Sequence, residues 1–172
     1  NSIVVHVRGS RAGGRISGEA KLTAPYAIRG VYAAESHVMT WSGAQVDIFQ
    51  VAVGSGADVT LTSCGSFSTS ARAVGLTGES VWLAGVEAQT LQVVNFGGVV
   101  KKSLKYTALE GTPEKLSMNG KFAAISTDTG RIKLYKTSRL EPRLMHEGVF
   151  EHPGGGGVIP AAGHFLPRQA VG

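Results

Sequence analysis

One cysteine, Cys64, stands in a chain of 172 residues. That excludes an internal disulfide and any cysteine-based zinc site, and it fits a reducing compartment. Among apolar neighbours such a cysteine reads as an inert core residue. No apolar run approaches about 20 residues, which excludes a transmembrane helix. Charged side chains make up 17% of the chain and apolar ones 42%, a globular rather than a disordered balance. Runs of helix-forming Ala, Leu, Glu and Lys are scarce, whereas there are 24 glycines. That combination predicts many tight turns and an all-β protein. The sequence opens on Asn1 with no n-region or h-region ahead of a cleavage site, and reads as an interior piece of a longer chain.

What is present is organised around residues 119–136, NGKFAAISTDTGRIKLYK. Phe122, Ala123, Ala124 and Ile125 form an apolar strand. Asp128, Thr129 and Gly130 form a turn, since Asp bonds its own downstream backbone and Gly accepts positive φ. In the strand that follows, Arg131, Lys133 and Lys136 are expected on the outer side, with Ile132, Leu134 and Tyr135 on the buried one. The same pattern of apolar strand, turn and second strand occurs at 37–51, 80–96 and 121–136. The matched positions Ile48, Val93 and Leu134 lie 45 and 41 residues apart. A period of about 40–45 residues is that of four-stranded propeller blades. Residues 59–63, 72–76, 99–106 and 114–118 supply the remaining strands between these hairpins, and residues 3–8, 15–22 and 28–34 read as strands ahead of them.

The fold class predicted is therefore all-β, with about three to four WD40-like β-propeller blades in an incomplete ring. The Trp-Asp dipeptide is absent. Phe49-Gln50, Val94-Asn95 and Tyr135-Lys136 stand in its place, so an Asp-centred hydrogen-bond network is not encoded there. An open stack leaves unpaired edges, which predicts blades supplied from elsewhere and poor folding of the segment alone. Residues 1–150 are assigned to the partial propeller. Residues 151–172, with four consecutive glycines and three prolines, are assigned to a loop or linker.

The net charge of +5 is uneven: residues 22–100 carry −3 and residues 101–143 carry +6. A segment this basic suits nucleic acid, an anionic lipid surface or an acidic protein, or is simply a solvated strand face. No catalytic set stands out. There is no G-x-S-x-G elbow. Residues 97–103, GGVVKKS, lack the glycine before the lysine and the following helix that a phosphate loop needs. His146 and His152, with Glu147 and Glu151, match no rigid metal-ligand spacing. His6 and His37 read as strand histidines, and Asp128 lacks a partner for acid–base work. Trp41, Trp82 and Phe96 sit at strand ends of the repeat. They suit packing between blades better than base stacking beside Lys101, Lys102 and Lys105.

From Trp41 to Met145 the chain resembles the intraflagellar transport protein 140 family, a large subunit of the ciliary transport complex A. The resemblance rests on TWSGAQVDIFQV, on Ser63 to Phe67, on residues 86–113 and above all on residues 119–145. Within these lie Phe96 to Gly98, Val100-Lys101, Glu110-Gly111-Thr112-Pro113, Gly120 to Phe122 and Ser138-Arg139. Phe96 stands where the family pattern has Trp. The resemblance implies two amino-terminal propellers followed by a helical solenoid, this chain being late blades of the second. It implies a non-enzymatic scaffold without cofactor or metal, acting in retrograde transport and in the admission of membrane receptors. Its partners would be other subunits of complex A, complex B and dynein-linked trains. Membranes would be met only through cargo, and nucleic acid not at all. Its place would be the cilium or flagellum and the basal body, on the cytoplasmic side. The candidate protein interface is Lys101, Lys102, Lys105 and Arg139. The alternative is a basic β domain that binds nucleic acid or anionic lipid.

Overall fold

The computed structural model describes residues 1–11, 14–54, 58–137 and 142–149. They form three four-stranded antiparallel sheets and one hairpin, with no helix among the described residues. The hairpin pairs β1 (Ser2–Arg11) with β2 (Gly14–Thr23). The first sheet runs β3 (Gly30–Ala34), β4 (His37–Trp41), β5 (Gln45–Val53) and β6 (Val59–Ser68). The second runs β7 (Ala73–Leu76), β8 (Val81–Ala84), β9 (Thr90–Val94) and β10 (Val100–Lys105). The third runs β11 (Pro113–Asn119), β12 (Phe122–Thr127), β13 (Arg131–Lys136) and β14 (Arg143–Val149). In each sheet the spatial order is the chain order, the meander of a propeller blade.

Two apolar cores hold the blades face to face. Met39, Val46, Ile48, Val74, Leu76, Val81, Leu83 and Val94 fill the space between the first and second. Trp82, Leu91, Val93, Tyr106, Ala123, Ile125 and Tyr135 fill the space between the second and third. The middle blade is covered on both faces, so β8 is buried at every residue and shows no alternation. The first strands gather on one side, with β7 lying between β3 and β11, and β2 lies against β6. Trp82, 1% exposed, meets Tyr135 edge-on at 6.3 Å. Burying a ring of about 200 Å² is worth about 5 kcal/mol before the entropy of ordering it.

The predicted strand pairs at 37–51, 80–96 and 121–136 are β4–β5, β8–β9 and β12–β13. Three expectations need correction. On β13 the buried residues are Lys133 and Tyr135, whereas Ile132 and Leu134 are half-buried and Phe122 on β12 is 39% exposed. The Lys133 face packs on the second blade, while the Ile132 and Leu134 face carries no sheet among the described residues. Cys64 is exposed, not core. It is the extra residue where β5 and β6 slip register between Ile48 and Phe49, and such bulges leave one residue unpaired. Asp128 bonds across rather than downstream: its Oδ1 accepts the Thr112 N–H at 2.8 Å. Gly130 does take positive φ, at 79°. The Gly/Pro-rich residues 151–172 lie outside the described residues.

Candidate functional site

The basic strand begins at an asparagine-tied turn. Asn95 Oδ1 accepts the N–H groups of Gly97 at 3.1 Å and Val99 at 2.9 Å. Its backbone N–H donates to the Val99 carbonyl at 3.0 Å. The turn is wedged against the first blade, so closely that a Cβ on Gly65 of β6 would collide with the Phe96 carbonyl oxygen. The Phe96 ring meets His37 at 4.8 Å and packs on the first core. From this anchored turn β10 leaves as the last strand of the middle blade, paired with β9 on one edge. A register slip between Val100 and Lys102 sets Lys101 out of the ladder. Lys101, Lys102 and Lys105 are exposed, with no carboxylate partner among the described residues. Val99 and Val100 beside them are 56% and 49% exposed. Arg139, the fourth residue of the candidate interface, lies outside the described residues.

A second charged group is hidden from sequence reasoning. Lys133 is 7% exposed and donates to Glu110 Oε1. Its ammonium stands 4.6 Å from the centre of the Tyr106 ring and 3.9 Å from Glu147 Oε1. Glu110 Oε2 also accepts the Thr107 N–H at 2.5 Å. Arg131 completes the set, donating through Nη1 to Glu147 Oε1 and through Nε to the Leu109 carbonyl, each at 3.2 Å. The Lys133 hydrogen bond, with the Thr107 N–H second, holds the Glu110 carboxyl down to about 2. Burial pushes the Tyr106 and Tyr135 phenols well up, and their hydroxyls lie 3.2 Å apart. Every cation here is matched by a carboxylate, so the cluster ties blade two to blade three. Its one sequence signal is Glu110 inside the Glu-Gly-Thr-Pro turn.

Asp47 organises a smaller polar group on the first blade. It accepts from the Tyr26 hydroxyl and, at 2.6 Å, from Ser66 Oγ, while Tyr26 and Thr40 hydroxyls lie 2.9 Å apart. Burial by itself would raise the Asp47 carboxyl, but hydrogen bonds from Ser66, Tyr26 and Gln45 hold it below the usual range. Burial, then Asp47, push the Tyr26 phenol up to about 12. At one end of the sheets a cavity of about 120 Å³ is lined by Glu35, Thr77, Gly78, Glu79, Gly120 and Thr137. No nucleophile–base pair lines it. Among the described residues no three His, Cys, Asp or Glu side chains gather to hold a metal. His146 sits on β14, Glu147 is engaged by Arg131, and His152 and Glu151 lie outside the described residues. No helix among the described residues is long and apolar enough to cross a membrane.

Residues 15–149 match the family described as the IFT140 second beta-propeller. The chain belongs to that family. The resemblance read from residues 41–145 is thereby shown, and it ties the chain to intraflagellar transport. Solved structures agree on the fold. Kluyveromyces lactis Hsv2 is 11% identical with a TM-score of 0.52, over 78% of this chain and 44% of that one. Kluyveromyces marxianus Hsv2 is 8% identical with a TM-score of 0.53, over 84% of this chain and 46% of that one. The chain thus spans less than half the length of these propeller-like structures. At such identity the likeness speaks for the fold alone.

Proposed function

We propose that this chain is part of a non-catalytic scaffold subunit of intraflagellar transport complex A, acting by protein–protein contact in retrograde transport and in the admission of membrane receptors to the cilium. Residues 1–150 are its partial propeller and 151–172 a linker. The observation that carries the reading is the family match over 15–149. Its place is the cilium or flagellum and the basal body, on the cytoplasmic side. Its partners are other complex A subunits, complex B and dynein-linked trains.

The mechanism is recognition by a rigid body. The two cores and the Lys133–Glu110–Glu147 tie fix the blades relative to one another, so side chains on outer strands keep their spacing. Lys101, Lys102 and Lys105 are free cations on such a strand, and Arg139 extends the set along the sequence. They would select an acidic neighbouring subunit by charge complementarity, acting on association rate and on rejection of wrong partners. Reversing Lys101 and Lys102 together in the full-length protein removes two exposed contacts, about 1–2 kcal/mol or roughly tenfold in affinity. Co-purification of complex A subunits from ciliated cells should fall accordingly, and the gap from wild type should narrow at higher salt, which screens exposed charges. Unchanged recovery would sink this interface.

The same free cations motivate the second reading, nucleic acid or anionic lipid. Single-strand binding needs exposed rings beside the cations. Here Trp82 is buried, and Trp41 and Phe96 pack on the first core. Salt-dependent binding of a nonspecific duplex or of anionic vesicles would support that reading.

A further inference from the structure

We propose that β10 accepts an extended acidic segment of a partner protein as a fifth strand of the middle blade. The inference rests on the scaffold reading for the identity of the surface and goes beyond it in the mode of binding. β10 closes its sheet, so along one edge its N–H and C=O groups have no strand among the described residues. An unpaired edge is a template for another strand.

Of the three blade-closing strands, β10 alone has the chemistry for a charged guest. β6, VTLTSCGSFS, has no charged side chain and lies against β2. β14 has Arg143 but also Glu147, which Arg131 and Lys133 engage. β10, VKKSLK, has three lysines and no acid. Lys102 pairs with Val93 and Lys105 with Thr90, three residues on, so their side chains leave opposite faces of the sheet. An added strand therefore meets a cation on each face, and carboxylates three residues apart along it would answer both. Val99 and Val100, both exposed at the head of the strand, offer apolar contact where the guest would pass the turn.

Lysines on an edge strand also guard against self-pairing. The two roles coincide here, because the charges that repel a second β10 are those that admit an acidic strand. A guest strand also completes the ladder, accepting from the N–H groups of this edge and donating to its carbonyls, whereas phosphate oxygens can only accept.

The test is fluorescence anisotropy with the full-length protein and a labelled peptide of sequence Thr-Glu-Val-Thr-Glu-Val-Thr, at low salt. Its twin carries N-methyl groups on alternate backbone nitrogens, which leaves charge intact and blocks pairing. The parent peptide should bind, and the twin at least tenfold more weakly. Lys102→Glu with Lys105→Glu should also weaken binding at least tenfold. Lys121→Glu, in the β11–β12 turn, should bind like wild type and shows that lost charge alone is not the cause. Equal binding of the two peptides, or none by either, would overturn strand addition. So would a duplex or anionic vesicles that bind as tightly as the peptide. Loss of peptide binding with complex recovery still sensitive to Lys101 and Lys102 would overturn this inference while the scaffold reading stands.

Discussion

Glu110→Gln removes the partner of a buried cation and nothing else of size. Glu110 has its carboxyl held near 2 against an ordinary 4.5, and a difference of that kind between folded and unfolded states is itself stability. A tenfold change in proton affinity is about 1.4 kcal/mol, so the full difference would be about 3 kcal/mol. The Glu110 side chain keeps 19% of its surface in water, which screens the pair and brings the expectation to about 2 kcal/mol. The sign follows from the direction. The carboxyl is depressed in the folded chain, so its contribution is complete above pH 4.5 and fades as pH falls toward 2. Hydrogen exchange of the β12 and β13 amides in the full-length protein reads this locally. At pH 7 the variant should exchange about thirtyfold faster than wild type, since 1.4 kcal/mol is about tenfold in an opening constant. At pH 3, each rate divided by its intrinsic chemical rate, the gap should shrink to less than half in free energy. A gap under about twofold at pH 7, or one unchanged at pH 3, would refute the view that the Lys133–Glu110 pair holds the third blade on the second.

Gly65→Ala should destabilise by about 2 kcal/mol through overpacking, because the new methyl would meet the Phe96 carbonyl, which the Asn95 turn holds in place. Faster proteolysis between β6 and β10 would register it, and unchanged cleavage would count against that packing. Cys64 is exposed on its bulge, so it should take a maleimide without denaturant. Burial of its sulfur raises the thiol above 9.0, so the labelling rate should still be climbing past that pH rather than levelling there. A thiol that labels only in denaturant would contradict the bulge.

Where a feature is local, the sequence displays it. The hairpins at 37–51, 80–96 and 121–136 depend on turn residues such as Gly130 next to short apolar runs, and both signals lie within a few residues. β14 escapes because RLMHEGV is exposed at nearly every position, so no alternation marks it. The face of β13 is misread for a different reason. Counting apolar residues puts Ile132 and Leu134 inside, yet Lys133 is the buried one because Glu110 reaches it from 23 residues away. Cys64 reads as core only because lone cysteines are usually buried, whereas a register slip turns it out. The basic residues of the candidate interface can be read in order, but only the sheet shows that three of them share one unpaired edge.

Cross-linking mass spectrometry on the full-length protein, purified from ciliated cells, tests the scaffold claim most directly. Lys101, Lys102, Lys115 and Lys121 are exposed and open to an amine-reactive linker. A scaffold with β10 at its interface should give links from Lys101 and Lys102 to other subunits of complex A, with fewer from Lys121 on the third blade. Links confined to the protein's own chain, or recovery with nucleic acid or lipid and no transport subunit, would contradict it.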